Sequence, residues 1–113
     1  MSQFTLNLIQ GSVRVSFTPE AAQNLQREIS ALMQNLKAVA NAGARGERPS
    51  PQAVMEYHYT GDVFLEVFCN PNIYPSPFAA KVLLTIRDDK IRLTSEAQLT
   101  QLLEDLDRYL EEV

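Results

Sequence analysis

Apolar residues recur at two different periods in this chain, and the switch between them constrains the fold more than any single motif. Phe4, Leu6 and Leu8 alternate with Thr5 and Asn7; after Gln10-Gly11-Ser12 the alternation resumes as Val13, Val15 and Phe17. Period two on both sides of a glycine predicts a β-hairpin with one buried face. At Thr18-Pro19-Glu20 the period changes. Thr18 has the side-chain oxygen that a helix N-cap needs, Pro19 suits the first helical position, and Glu20 complements the positive helix start. Ala22, Leu25, Ile29, Leu32, Met33, Leu36 and Val39 follow at three- and four-residue spacing, the stripe of a helix lying on a core. The helix is expected to stop near Ala42-Gly43.

The stretch after it, about residues 42–52, is rich in Gly and Pro, has no periodicity and reads as a mobile surface loop. Alternation then returns. Met55, Tyr57 and Tyr59 alternate with Glu56, His58 and Thr60; Gly61-Asp62 turns the chain; Val63, Leu65, Val67 and Cys69 alternate with Phe64, Glu66 and Phe68. The second strand of this hairpin is apolar on nearly both sides, which predicts a central place in its sheet. Asn70 to Pro77 carries Pro71, Pro75 and Pro77 and is expected to be irregular but stiff. Lys81–Ile86 and Lys90–Leu93 form a third hairpin around Arg87-Asp88-Asp89. Thr94-Ser95-Glu96 is expected to open the last helix, with a stripe of Leu99, Leu102, Leu103, Leu106, Leu110 and Val113.

The expected fold is therefore α+β: a largely antiparallel sheet of about six strands with two helices, in the order ββα-ββ-ββα. Val15-Ser16-Phe17-Thr18-Pro19-Glu20-Ala21 lines up with Ile91-Arg92-Leu93-Thr94-Ser95-Glu96-Ala97. This echo reads as an internal pseudo-repeat, or as the string that any strand produces when it enters a helix through a Thr cap. Phe64 and Phe68, opposite Val63, Leu65 and Val67, need cover too. Either each sheet face carries one helix, or the second face meets a partner.

With 113 residues, 45% of them apolar, the chain fits a single domain spanning 1–113 that buries a core without staples. A net charge of −4 disfavours nucleic-acid backbone and anionic lipid as main partners. Cys69 is the only cysteine, so an internal disulfide is excluded and a reducing compartment is expected. No N-terminal leader pattern and no apolar run of spanning length is present, which points to the cytoplasm.

Chemistry has few places to reside. His58 is the only histidine; with Glu56 on the same strand face and Cys69 as nucleophile it would make a catalytic dyad, yet Cys69 falls in phase with core residues. One His and one Cys do not make a structural zinc site, and Asp88-Asp89 lies between Arg87 and Lys90. No phosphate-binding glycine motif occurs. No catalytic, cofactor or metal residues are assigned.

Two features suit partner binding instead. Ile73, Tyr74 and Phe78 are held by prolines in a surface segment, where a stiff loop loses little entropy on binding. The opposing reading is that they fold back to plug one end of the core. On the last helix Glu104, Asp105, Asp107, Glu111 and Glu112 surround a single Arg108. They read as a solvated face or as a docking face for a basic partner.

The stretch from Tyr74-Pro75-Ser76-Pro77-Phe78 through Lys81-Val82-Leu83-Leu84-Thr85-Ile86 to Asp107-Arg108-Tyr109-Leu110 resembles small uncharacterised soluble proteins of cyanobacteria. The acidic α+β build is also similar to class I secretion chaperones, although those begin with a helix. Such resemblance implies binding of partner segments along an exposed sheet or helix face, and no activity.

The leading expectation is a non-enzymatic interaction module, an adaptor, assembly factor or chaperone-like protein, that forms a homodimer. Its partner-binding residues would be Tyr74, Phe78, Ile73, Phe64, Phe68, Glu104, Asp107 and Glu111. The alternative is a small-molecule or sensor domain with a pocket between sheet and helix lined by Tyr57, Tyr59 and Phe68.

Overall fold

A computed structural model describes residues 2–113. The first hairpin pairs β1 (Ser2–Asn7) with β2 (Ser12–Phe17), and Phe4 stands opposite Val15. Its turn closes where the Leu8 N–H donates to the Gly11 carbonyl at 2.8 Å, with Gly11 at φ +109°, a conformation that favours glycine. α1 (Pro19–Ala44) follows at once. Thr18 caps it as the sequence predicts, its hydroxyl accepting from the Ala21 N–H at 3.1 Å. The helix ends slightly later than expected, at a C-terminal turn in which Gly46 takes φ +71° and donates to the Gly43 carbonyl.

β3 (Met55–Thr60), β4 (Phe64–Cys69), β5 (Lys81–Arg87) and β6 (Arg92–Gln98) form a four-stranded antiparallel sheet in sequence order. β4 lies inside it, as its apolar character on both faces predicts. Two 3-10 turns, Pro71–Ile73 and Pro77–Ala79, shape the β4–β5 loop, and α2 (Leu99–Glu112) closes the chain. The architecture is thus α+β in the order ββα-ββββα, with the six strands divided between sheets of two and four.

The core lies on one face of the larger sheet. Leu65, Val67, Cys69, Val82, Leu84 and Ile86 point inward to meet Leu25, Ile29, Leu32 and Leu36 of α1 and Leu99, Leu102 and Leu106 of α2. Each such side chain contributes about 2 kcal/mol by leaving water. The first hairpin seals one end with aromatic rings. Phe17 stacks on Phe4 at 5.0 Å and meets Tyr59 edge-on at 4.8 Å, and the Tyr109 hydroxyl donates to the Phe17 carbonyl at 2.9 Å.

One sequence expectation fails here. Thr94-Ser95-Glu96 does not open α2; it lies in β6, paired with Thr85, Leu84 and Leu83. β5 is seven residues long and β6 matches it to the end, Lys81 opposite Gln98. Continued pairing satisfies backbone groups along the whole of β5 and keeps Ala97 in the core, which outweighs a local capping signal. The echo between Thr18-Pro19-Glu20 and Thr94-Ser95-Glu96 therefore joins a helix start to a strand interior, and the second unit of the repeat does not form. The α2 stripe is also rotated from the expected one. Tyr109 and Asp105 are buried while Val113 is exposed.

Candidate interaction site

The outer face of the large sheet carries no helix. Its rows are fixed by register: Glu56–Phe68–Leu83–Glu96, then His58–Glu66–Thr85–Thr94, then Thr60–Phe64–Arg87–Arg92. Of the two alternatives left open by Phe64 and Phe68, both helices pack on the inner face and the outer one stays uncovered. Phe64 and Phe68 are each half-buried by neighbours within the sheet, and Leu83 beside Phe68 is 41% exposed. The Arg87 guanidinium stacks over the Phe64 ring at 4.3 Å, a cation–π contact that engages this aromatic within the protein.

His58 belongs to this outer face. Its Nε2 lies 2.8 Å from Glu66 Oε2, both side chains being partly exposed. The expected neighbour was Glu56; the partner is the residue directly across the hairpin. Counting back from the Gly61-Asp62 turn would have found it. Cys69 points into the core on the other side of the sheet, and burial pushes its thiol up to about 11. A histidine on one face and a protonated thiol inside the other do not meet, so the dyad does not assemble.

The proline loop divides its residues. Ile73 is 66% and Phe78 84% exposed, whereas Tyr74 packs against the core. Burial also raises the Tyr74 phenol above its ordinary value. Neither opposing reading of the loop holds for all three. Asn70 fixes the segment by accepting from the Asn72 N–H at 3.0 Å, and the Asn72 side chain ties it to Gln52 on the preceding loop. The loop meets the sheet at a cleft of about 200 Å³ lined by Phe68, Ile73, Tyr74 and Leu83, with Lys81 and Glu96 at its rim. Two sequence features that lie apart in the chain, the outer-face phenylalanine and the stiff loop, thus build one apolar concavity. Phe64 and Phe78 do not line it.

On α2, Glu104 and Glu111 are exposed, and Asp107 is bonded to Gln26 of α1 at 3.3 Å. Asp105 departs from the expected acidic face. It is 2% exposed and accepts from the Asn7 N–H at 2.8 Å, the Asn7 side-chain amide at 2.7 Å and Gln101 at 3.0 Å. Its charge serves the fold.

A second, larger cleft of about 630 Å³ runs between the first half of α1 and β3. Tyr57 and Tyr59 line it, with Asn24, Arg27 and Glu28 on the helix and Glu56, His58 and Thr60 on the strand. The Tyr57 hydroxyl donates to the Ala21 carbonyl at 3.1 Å, and burial, with Tyr59 and Glu28 nearby, pushes the phenol up to about 12. Phe68, expected in this pocket, lies on the far face of the sheet. Gly61 gives the Tyr59 ring its room, since a Cβ there would collide with the hydroxyl.

No protein-family model, curated protein or solved structure matches the chain. Among the described residues no helix is long and apolar enough to cross a membrane.

Proposed function

We propose that this chain is a non-enzymatic protein-interaction module of the cytoplasm: an adaptor, assembly factor or chaperone-like protein. The observation that carries the reading is the cleft where Phe68 and Leu83 of the uncovered sheet face meet Ile73 and Tyr74 of the proline loop. Apolar side chains exposed on rigid backbone bind with a small ordering penalty on their own side. The rim residues Lys81 and Glu96 add polar contacts that orient a partner. The exposed acids Glu104 and Glu111 favour a partner with a basic surface, through faster encounter. A homodimer and a cyanobacterial origin belong to the same proposal.

The test is a paired capture. Tagged wild-type protein and an Ile73→Asp/Leu83→Asp variant are expressed in the native cell and their co-purifying proteins compared. Both positions are exposed, so thermal unfolding should shift by only a few degrees. The expected result is a stoichiometric partner recovered with the wild type and missing from the variant. An identical set from both would remove the cleft from the account.

A small-molecule site is the second reading, favoured by the volume of the α1–β3 cleft, which falls in the range of ligand pockets. Its polar walls and open strand edge suit a peptide better.

A further inference from the structure

The α1–β3 cleft runs along an open sheet edge, and the backbone there specifies what fits. In an antiparallel pair, residues alternate between those bonded to the neighbour strand and those whose N–H and C=O point away. The phase is set by the Gly61 N–H, which donates to the Val63 carbonyl at 3.0 Å. Tyr59 and Tyr57 therefore face Leu65 and Val67 with their hydrogen bonds, and Glu56, His58 and Thr60 direct theirs outward. Among the described residues no hydrogen bond reaches these outward groups from another element. The other end of the sheet differs, for the Glu96 carbonyl of β6 accepts from the Ile9 N–H at 3.2 Å. β3 also lacks the usual protection of an edge: it has no proline, no lysine or arginine and no bulge over Met55–Thr60. The exposed edge of the small sheet, by contrast, carries Arg14 at mid-strand.

From this geometry we infer that β3 takes an added strand, an extended and basic segment of a partner protein, laid in the groove against α1. Three donors and three acceptors at alternate positions require a ligand of matching period, which an extended peptide supplies and a compact small molecule does not. Charge sets its sign. Glu28 borders the groove beside the single Arg27, whose guanidinium is hydrogen-bonded to Asn24, and Glu56 borders it from the outer face of the strand. On the outer face Glu66 stands behind His58. A lysine on the added strand opposite Glu56 makes a cross-strand ion pair. This site lies apart from the Phe68–Ile73 cleft and stands independently of the reading placed there.

The probe is a capped octapeptide of alternating lysine and valine, titrated into the full isotope-labelled chain. Binding should move the amide signals of Glu56, His58 and Thr60 and slow their hydrogen exchange. The same peptide N-methylated at alternate residues should not bind, and a glutamate–valine octapeptide should bind about fivefold more weakly. His58→Pro removes an outward donor without breaking a bond to β4, so it should abolish binding while the domain stays folded. Glu56→Lys keeps the backbone intact and should weaken the lysine peptide by a similar factor, which supplies a test that does not rely on proline being tolerated. Signals that move at Phe68 and Leu83 instead, or a methylated peptide that binds equally well, would overturn the inference. So would protection of the same three amides by raised protein concentration alone, which would make the occupant a second copy. The Ile73→Asp/Leu83→Asp variant should bind the octapeptide normally, so failure at one site is separable from failure at the other.

Discussion

At the outer edge of β1, the Asn7 N–H points away from the hairpin and meets the buried carboxylate of Asp105 on α2. At the outer edge of β3, the N–H groups of Glu56, His58 and Thr60 point away from their hairpin into an open cleft, with α1 across it. Both edges lie beside a helix. In the first, the helix supplies a charged, buried acceptor to the Asn7 N–H at the end of the strand. In the second, the helix packs on Met55 and Tyr57 and accepts the Tyr57 hydroxyl below the strand, and among the described residues it sends no hydrogen bond to the edge above. An unpaired edge is a liability unless something occupies it, and this chain meets the outward N–H of Asn7 with an aspartate, whereas among the described residues no acceptor reaches those of Glu56, His58 and Thr60.

The largest expected effect breaks the covered edge. Asp105→Ala leaves the Asn7 N–H, the Asn7 amide and the Gln101 amide without their acceptor, and stability should fall by roughly 3 kcal/mol. Urea denaturation measures it. A loss below about 1 kcal/mol would mean that water replaces the carboxylate and that the two edges differ less than their geometry implies.

A smaller effect sharpens the open side. Tyr57 rises from an ordinary value of 10.0 to about 12, and Cys69 from 9.0 to about 11, both chiefly through burial. The folded state therefore holds these protons more tightly than the unfolded chain does. Their contribution is complete below the Cys69 value of 9.0 in the unfolded chain and is lost as pH rises through about 11 and then about 12. Tyr57→Phe should destabilise the protein by about 1 kcal/mol near neutrality, through the lost bond to the Ala21 carbonyl. It should also make the alkaline decline shallower. Thermal melts from pH 8 to 11 would detect both, and an unchanged slope would detach Tyr57 from the α1–β3 contact.

The first five strands, α1 and the inner core were legible from period, because burial on one face imprints alternation or a helical stripe directly, and the Thr18 cap was legible from its hydroxyl ahead of Pro19; the last strand, expected over Lys90–Leu93, runs instead over Arg92–Gln98. The start of α2 was not legible. Thr94-Ser95-Glu96 carries a capping string, and only the length of β5 reveals that these residues are needed for pairing. Asp105 was misplaced for a related reason: it sits in a run with Glu104 and Asp107, so the sequence shows an acidic face, while its true partner, Asn7, is 98 residues away. The union of Phe68 with Ile73 and Tyr74 was legible only as two separate features. The β3 edge left no mark, since an open edge is written in which strand ends the sheet, a property of topology that periodicity does not encode.

Amide hydrogen exchange of the free protein, read residue by residue, tests this contrast most directly. Glu56, His58 and Thr60 should exchange rapidly while Tyr57, Tyr59 and Asn7 are protected. Slow exchange at Glu56, His58 and Thr60 in dilute solution would show that the β3 edge is already satisfied, and there would be no open edge for a partner to extend.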